Sequence, residues 1–283
     1  MSYFKTAEEH KEFLFQMTSL MLWFVAKWKY ENPKESVEDI IRNRTLLRNY
    51  TDFNKFDLNA DLATIPETSD WSNFIAEIGH LYNVLKVKRN YELYESEAIK
   101  IVEPYINERI DRDLSLFNIT YLSAESREGS SFFFDASDAD NSLESEYLSA
   151  NFGNGGRYMK SHQWNNRYPE SYLNEPAVFR KNLVKLIDDI AETGCMGMYG
   201  TGWMNLFPLF SRQFPVEWRK SAIGPSYDIK GNLGCWGQFI SSDYSFQYKM
   251  GDRYRHAHII PYPTTLCFAK LEDFRNFFKM RPI

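Results

Sequence analysis

Apolar residues recur at helical spacing through the first 113 residues and then give way to shorter, aromatic-rich runs. Thr6 and Glu9 stand at capping-box spacing ahead of the apolar run Phe13 to Ala26, which predicts a helix to about Trp28, stopped by Pro33. Ser36 and Asp39 repeat that spacing before Val37, Ile40, Ile41 and Leu47, predicting a second helix of about four turns that runs toward Asn49. Residues 51–66 read as an irregular loop. Asp70 is placed to cap a third helix, in which Trp71, Phe74, Ile75, Ile78, Tyr82 and Leu85 share a face. A fourth covers about Tyr94 to Ile110, with Pro104 set to kink or split it.

From Leu114 the pattern changes. LSLFNITYL (114–122) and SSFFFDA (130–136) carry the aromatic and β-branched enrichment of strands, and YLSANF (147–152) reads as a further strand. Polar loops fill 124–129 and 135–146, and GNGGR (153–157) is a turn. Pro176 opens an amphipathic helix with Phe179, Leu183, Leu186, Ile187 and Ile190 on one face, and Gly194 stands where a C-terminal cap belongs. The next stretch, Gly194 to Phe210, interleaves four glycines with Met, Tyr, Trp and Phe, and reads as a strand and turn at the centre of a core. LGCWGQFI (233–240) and the alternating Tyr244, Phe246, Tyr248 suggest a hairpin; HIIPY and TLCF suggest short strands, and Leu271 to Phe278 a last helix. Strands and helices segregate more than they alternate. The expected fold class is α+β: a helical region, 1–113, then an α+β region, 114–283, with a mostly antiparallel sheet and one long amphipathic helix.

Composition narrows the function classes. Of the 283 residues 17% are aromatic, more rings than a core of ordinary composition requires. The net charge of −5 is uneven: residues 1–113 hold 15 Lys+Arg against 20 Asp+Glu, and the remainder is balanced. An acidic balance argues against nucleic acid, which needs a basic stripe, and permits a basic protein partner without demanding one. The apolar run at 13–26 falls short of the roughly 20 residues a membrane span needs, and its flank TAEEHKE is mixed in charge where a signal peptide is basic. Three scattered cysteines make no disulfide framework. The expectation is a cytoplasmic protein with reduced thiols, no membrane segment and no cofactor.

Recognisable catalytic spacings are missing. Neither GxSxG nor HExxH occurs, and Cys195 follows the C-terminal end of a helix, where the dipole disfavours a thiolate. His256 and His258 would share a face if extended and, with His162, form the alternative set of metal ligands or acid–base groups. Asp135, Asp138, Asp140 and Glu144 make an oxygen-rich loop without the glycine a calcium loop needs at its sixth position, so a solvated acidic loop or a docking site for a basic partner fits better. Trp164 lies in a polar segment, and Trp203, Phe207, Phe210, Phe214 and Trp218 follow one another at helical spacing.

An aromatic strand, a polar loop, a Pro-opened helix ending in Gly, the element Gly202-Trp203-Met204-Asn205-Leu206 and a Gly-containing strand follow in order between about 130 and 260. That order resembles cytoplasmic immunity proteins of type VI and polymorphic toxin systems. The resemblance implies a non-enzymatic protein that neutralises a cognate toxin by binding it, with Asp135, Asp138, Asp140, Glu144, Trp164, Trp203 and Trp218 as contact residues. The alternative from the residues alone is an enzyme with a pocket against the 194–210 stretch and His162, His256 or His258 in it. A sugar-binding surface built on Trp164 or Trp203 is the third reading.

Overall fold

A computed structural model describes residues 6–53, 69–117, 132–133, 143–152, 156–163 and 170–280. These fall into two compact units: one within Met1–Ala124 together with Ile229–Asn232 and Phe239–Gly251, the other formed by the rest. The fold is α+β, with its long N-terminal helices in the first unit and a small sheet in the second.

In the first unit α1 spans Ala7–Glu31, α2 Val37–Arg44, α3 Ser69–Val84 and α4 Tyr91–Phe117. Both expected caps are present: the Thr6 hydroxyl accepts from Glu9 N at 3.1 Å, and the Ser36 hydroxyl accepts from Asp39 N at 3.0 Å. Helix α1 is apolar almost all round and is buried from Met17 to Lys27, as a helix at the centre of a core must be. It packs chiefly on α4, where Trp23 Nε1 donates to Glu92 at 3.2 Å and the Ser19 hydroxyl donates to Glu95. The second helix is shorter than its periodicity suggests. It ends at Arg44, and a 3₁₀ turn, Leu47–Tyr50, follows. The cause is 185 residues away: Gly231 N donates to Asn43 O at 2.9 Å, and Arg44 Nη1 donates to Ile229 O at 3.1 Å. At Gly231 an added Cβ would meet Thr45 O at 2.5 Å, so only glycine allows the segment this close. Helix α4 runs on through Pro104 without splitting and takes in residues 114–117, expected as the start of a strand. The boundary expected at 113 therefore falls inside a helix.

The second unit opens on β1, Phe132–Phe133, and α5, Leu143–Phe152, so residues 147–152 form a helix where a strand was expected. Then come β2 (Tyr158–Lys160), β3 (His162–Gln163), α6 (Pro176–Glu192), β4 (Gly197–Gly202), two short helices α7 (Pro208–Ser211) and α8 (Val216–Lys220), and β5 (Ile223–Ser226). The main sheet has the order β2-β4-β6-β5, where β6 is Thr264–Lys270. Strands β2 and β4 are parallel and the other two pairings antiparallel. A parallel neighbour demands a crossover, and α6 supplies it.

Period-two alternation divides the sheet into two faces. Met159, Met198, Cys267 and Ala269 lie in the core that contains Phe179, Leu183, Leu186, Ile187 and Ile190 of α6, all five as the periodicity requires. Tyr158, Tyr199, Leu266 and Phe268 group with Leu148 of α5. Gly194 takes φ +76° just past α6, the left-handed position of a C-terminal cap.

The hairpin expected at 233–248 does not form. Leu233–Trp236 is a helical turn (α9), Gly237–Phe239 a 3₁₀ turn, and Tyr248–Ala257 a helix, α10; Ile240 and Phe246 make an isolated bridge. Tyr244 sits at φ +60°, and the Asp243 carboxylate accepts from Ser245 N at 3.0 Å and from the hydroxyls of Ser241 and Ser245. Those local bonds close a turn that competes with strand pairing. HIIPY likewise forms no strand, whereas TLCF lies within β6 and the last helix, α11, spans Leu271–Met280.

Candidate functional site

A cleft of about 320 Å³ lies in the helical unit. Helix α3 contributes Asp70, Asn73, Phe74 and Glu77 to it, spaced at three, four and seven residues so that they share one side of the helix. Helix α4 contributes Tyr105 and Glu108, one turn apart, and the residues after the 3₁₀ turn contribute Asp52 and Phe53. Its apolar part is a triangle of rings. Phe53 lies 4.5 Å from Tyr105 and 4.8 Å from Phe74, and Phe74 meets Tyr105 edge-on at 5.1 Å, centroid to centroid. Trp71 backs this group, 5.2 Å from Phe53 and stacked on Phe74 at 5.6 Å.

Two anchors hold the Asp52–Phe53 arm in place. Asp52 N donates to Tyr105 O at 3.2 Å, which ties the arm to α4. Beneath it, buried Arg109 donates from Nη1 to Asn49 O at 2.6 Å and to Thr51 O at 3.5 Å.

The described lining of the cleft is acidic. Four carboxylates line it, and among its described lining residues there is no lysine, arginine or histidine. The field is felt at Tyr105: burial, and then the Glu77, Glu108 and Asp70 carboxylates, push its phenol above the ordinary range. Asp70, Glu77 and Glu108 are exposed and Asp52 half-buried, so the acids form a rim that a ligand can reach. Rings beneath and carboxylates around suit a cation carried on a flat or aliphatic group. Among the described residues no group of three or more His, Cys, Asp or Glu side chains is arranged to hold a metal ion.

The residues expected as contacts lie elsewhere. Asp135, Asp138, Asp140 and Trp164 are outside the described residues, and Glu144 lies in α5. Trp218 is 1% exposed, stacked on Phe214 at 4.6 Å, and donates from Nε1 to Asn205 at 3.3 Å; it is a core residue, not a contact residue. The same holds for Phe210 and Phe214, because their spacing turns them onto the core shared with α6. Trp203 is half-buried in a trio with Phe207 at 6.2 Å and Tyr262 at 5.8 Å. The histidine alternative is not assembled. His162 lies in β3, His256 in the last turn of α10, and His258 just past that helix at φ +58°, its N donating to Tyr254 O at 2.9 Å. Their expected extended geometry is absent, and the cleft contains none of them.

The site's residues went unread in the sequence, although its acidic excess was visible. The signal was local: Asp70, Asn73 and Glu77 form a polar stripe beside the apolar face marked by Trp71, Phe74 and Ile78.

No helix among the described residues is long and apolar enough to cross a membrane. No family model, curated protein or solved structure matches the chain.

Proposed function

We propose that this chain is a non-enzymatic binding protein that neutralises a bacterial toxin in the cytoplasm by direct contact, using the acidic cleft of its helical unit. The observation that carries the reading is the cleft itself: four carboxylates around three packed rings, with no basic residue among its described lining. Aromatic residues under a charged rim are the make-up of an interface centre that excludes water from its anchors. The acidic excess of residues 1–113 extends the same sign over the unit and favours encounter with a basic partner. The resemblance to immunity proteins supplies the partner's class, a toxin encoded beside this chain.

Co-expression tests it. Cells that produce the adjacent-gene toxin are expected to survive when this chain is co-produced, and the two proteins to co-purify. Undiminished toxicity with the chain well expressed would sink the proposal.

A further inference from the structure

Within that reading, on which this inference rests, we propose that the cleft between α3, α4 and the Asp52–Phe53 arm is a receptor for one arginine side chain of the partner. Three features single out a guanidinium among cations. The first is the apolar part of the cleft. Phe53 and Phe74 are buried and Tyr105 half-buried, so of the three rings Tyr105 is the one part-exposed where the acids line the cleft. A guanidinium is flat and weakly hydrated and stacks on such a surface, whereas an ammonium is compact and holds its water.

The second is the arrangement of the acids. Glu77 and Glu108 line the cleft from different helices, and Asp70 adds a third carboxylate. A guanidinium carries five donors in a fixed fork and can serve two carboxylates at once while its plane remains on a ring. The three donors of a lysine ammonium radiate from a single nitrogen, which has no plane to lay on the ring. The third is size. About 320 Å³ is space for roughly ten waters at about 30 Å³ each, enough for a long side chain with part of its backbone. The two anchors on the arm keep the cleft formed before the ligand arrives, which lowers the ordering cost of binding.

The probe is a blocked tripeptide, Gly-Arg-Gly, titrated into the full chain and followed by amide NMR shifts and calorimetry, beside its lysine and citrulline counterparts. Expected are shifts confined to the Asp52–Phe53 arm, the Asp70–Glu77 turns and the Tyr105–Glu108 turn, and binding of the arginine peptide about tenfold tighter than of the lysine peptide. Citrulline, which keeps the shape and loses the charge, is expected not to bind. The double variant Glu77→Gln/Glu108→Gln, with both changes on exposed side chains, is expected to weaken the arginine peptide by about tenfold or more while its melting temperature holds. Equal affinity for arginine and lysine, shifts elsewhere, or an unaffected double variant would overturn the inference. Neutralisation by the wild type without any arginine-peptide binding would overturn it and leave the proposed function standing. Arginine binding at the cleft without neutralisation would do the reverse.

Discussion

The side-chain amide of Asn205 donates to the main-chain carbonyl of Thr265 at 2.7 Å. The same nitrogen donates to Gly200 O at 2.8 Å, and the side-chain oxygen accepts the indole N–H of Trp218 at 3.3 Å. One buried residue thus ties together the end of β4, its neighbour β6 and the helix α8. The Gly-Trp-Met-Asn-Leu element is a structural clasp whose asparagine faces inward.

Replacing Asn205 by leucine keeps the branched heavy-atom skeleton and leaves two carbonyls and an indole N–H to find other partners. An unsatisfied buried group costs about 1–3 kcal/mol. Asn205→Leu is therefore expected to destabilise the second unit by about 3 kcal/mol in a chemical denaturation series. Asn205→Asp is expected to be at least as damaging, since it sets an acceptor against two carbonyls. A loss under about 0.5 kcal/mol for both would contradict the clasp.

Gly197 pairs with Tyr158 across β2 and β4 and with Lys270 across β6. A Cβ there would collide with the Tyr158 ring and come within 2.6 Å of Ala269 O. Both neighbours belong to the sheet, so neither can move without disturbing its pairing. Gly197→Ala is expected to cost about 1–3 kcal/mol, as overpacking does. Gly194→Ala meets nothing within 4 Å and strains only the backbone at φ +76°, for about 1–2 kcal/mol. If the double variant Gly197→Ala/Tyr158→Ala were no better tolerated than the sum of its parts, the ring contact would not be the cause.

These positions also show what the sequence could and could not reveal. Caps at Thr6 and Ser36, the five apolar positions of α6 and the stop at Gly194 were legible, because each depends on residues within a few turns. The early end of α2 was not, since the segment that donates to Asn43 O and accepts from the Arg44 side chain is Ile229–Gly231. Alternation at 244–248 misled for a different reason. Phe246 is buried and Tyr248 half exposed, its hydroxyl donating to Glu12 at 2.6 Å, and Asp243 spends its acceptors on a turn. The cleft was hidden because its walls come from three segments, each bringing an acid and a ring, and nothing local to any one of them marks that they meet.

Alkaline pH is expected to destabilise the protein in two stages. Burial pushes the Cys267 thiol up to about 12, whereas an unfolded cysteine ionises near 8.5. Its contribution is complete below about pH 8.5 and is lost as pH rises toward its folded value. Tyr94 is raised by burial and then by Tyr82 and Glu38, and burial raises Tyr50 against an opposing effect of Arg109. Their contributions are complete below about pH 10 and fall away above it, because only the unfolded phenols release their protons there. Melting temperature recorded from pH 7 to 11 should decline from about 8.5 and more steeply beyond 10. In Cys267→Ala the first decline should flatten, and in Tyr94→Phe the second should diminish. A wild-type curve level to pH 11 would show that these groups are not held protonated by the fold.

Arg109 offers a way to disturb the cleft without touching any residue that lines it. It is 6% exposed, and its Nη1 donates to the carbonyls of Asn49 and Thr51, just before the Asp52–Phe53 arm. Hydrogen bonds from a charged group contribute about 1.5–3 kcal/mol, so Arg109→Met is expected to lose about 2 kcal/mol of stability. The carbonyls it leaves can turn toward water only if the arm moves, which shifts Phe53 off Tyr105 and opens the ring triangle. Binding of the arginine tripeptide should therefore weaken in Arg109→Met although every carboxylate remains. Arg109→Lys supplies one point donor in place of the fork and is expected to fall between wild type and the methionine variant. Amide shifts of Asp52 and Phe53 report the arm directly. If those shifts stayed at their wild-type values while stability fell, Arg109 would support the helices alone and have no part in shaping the cleft.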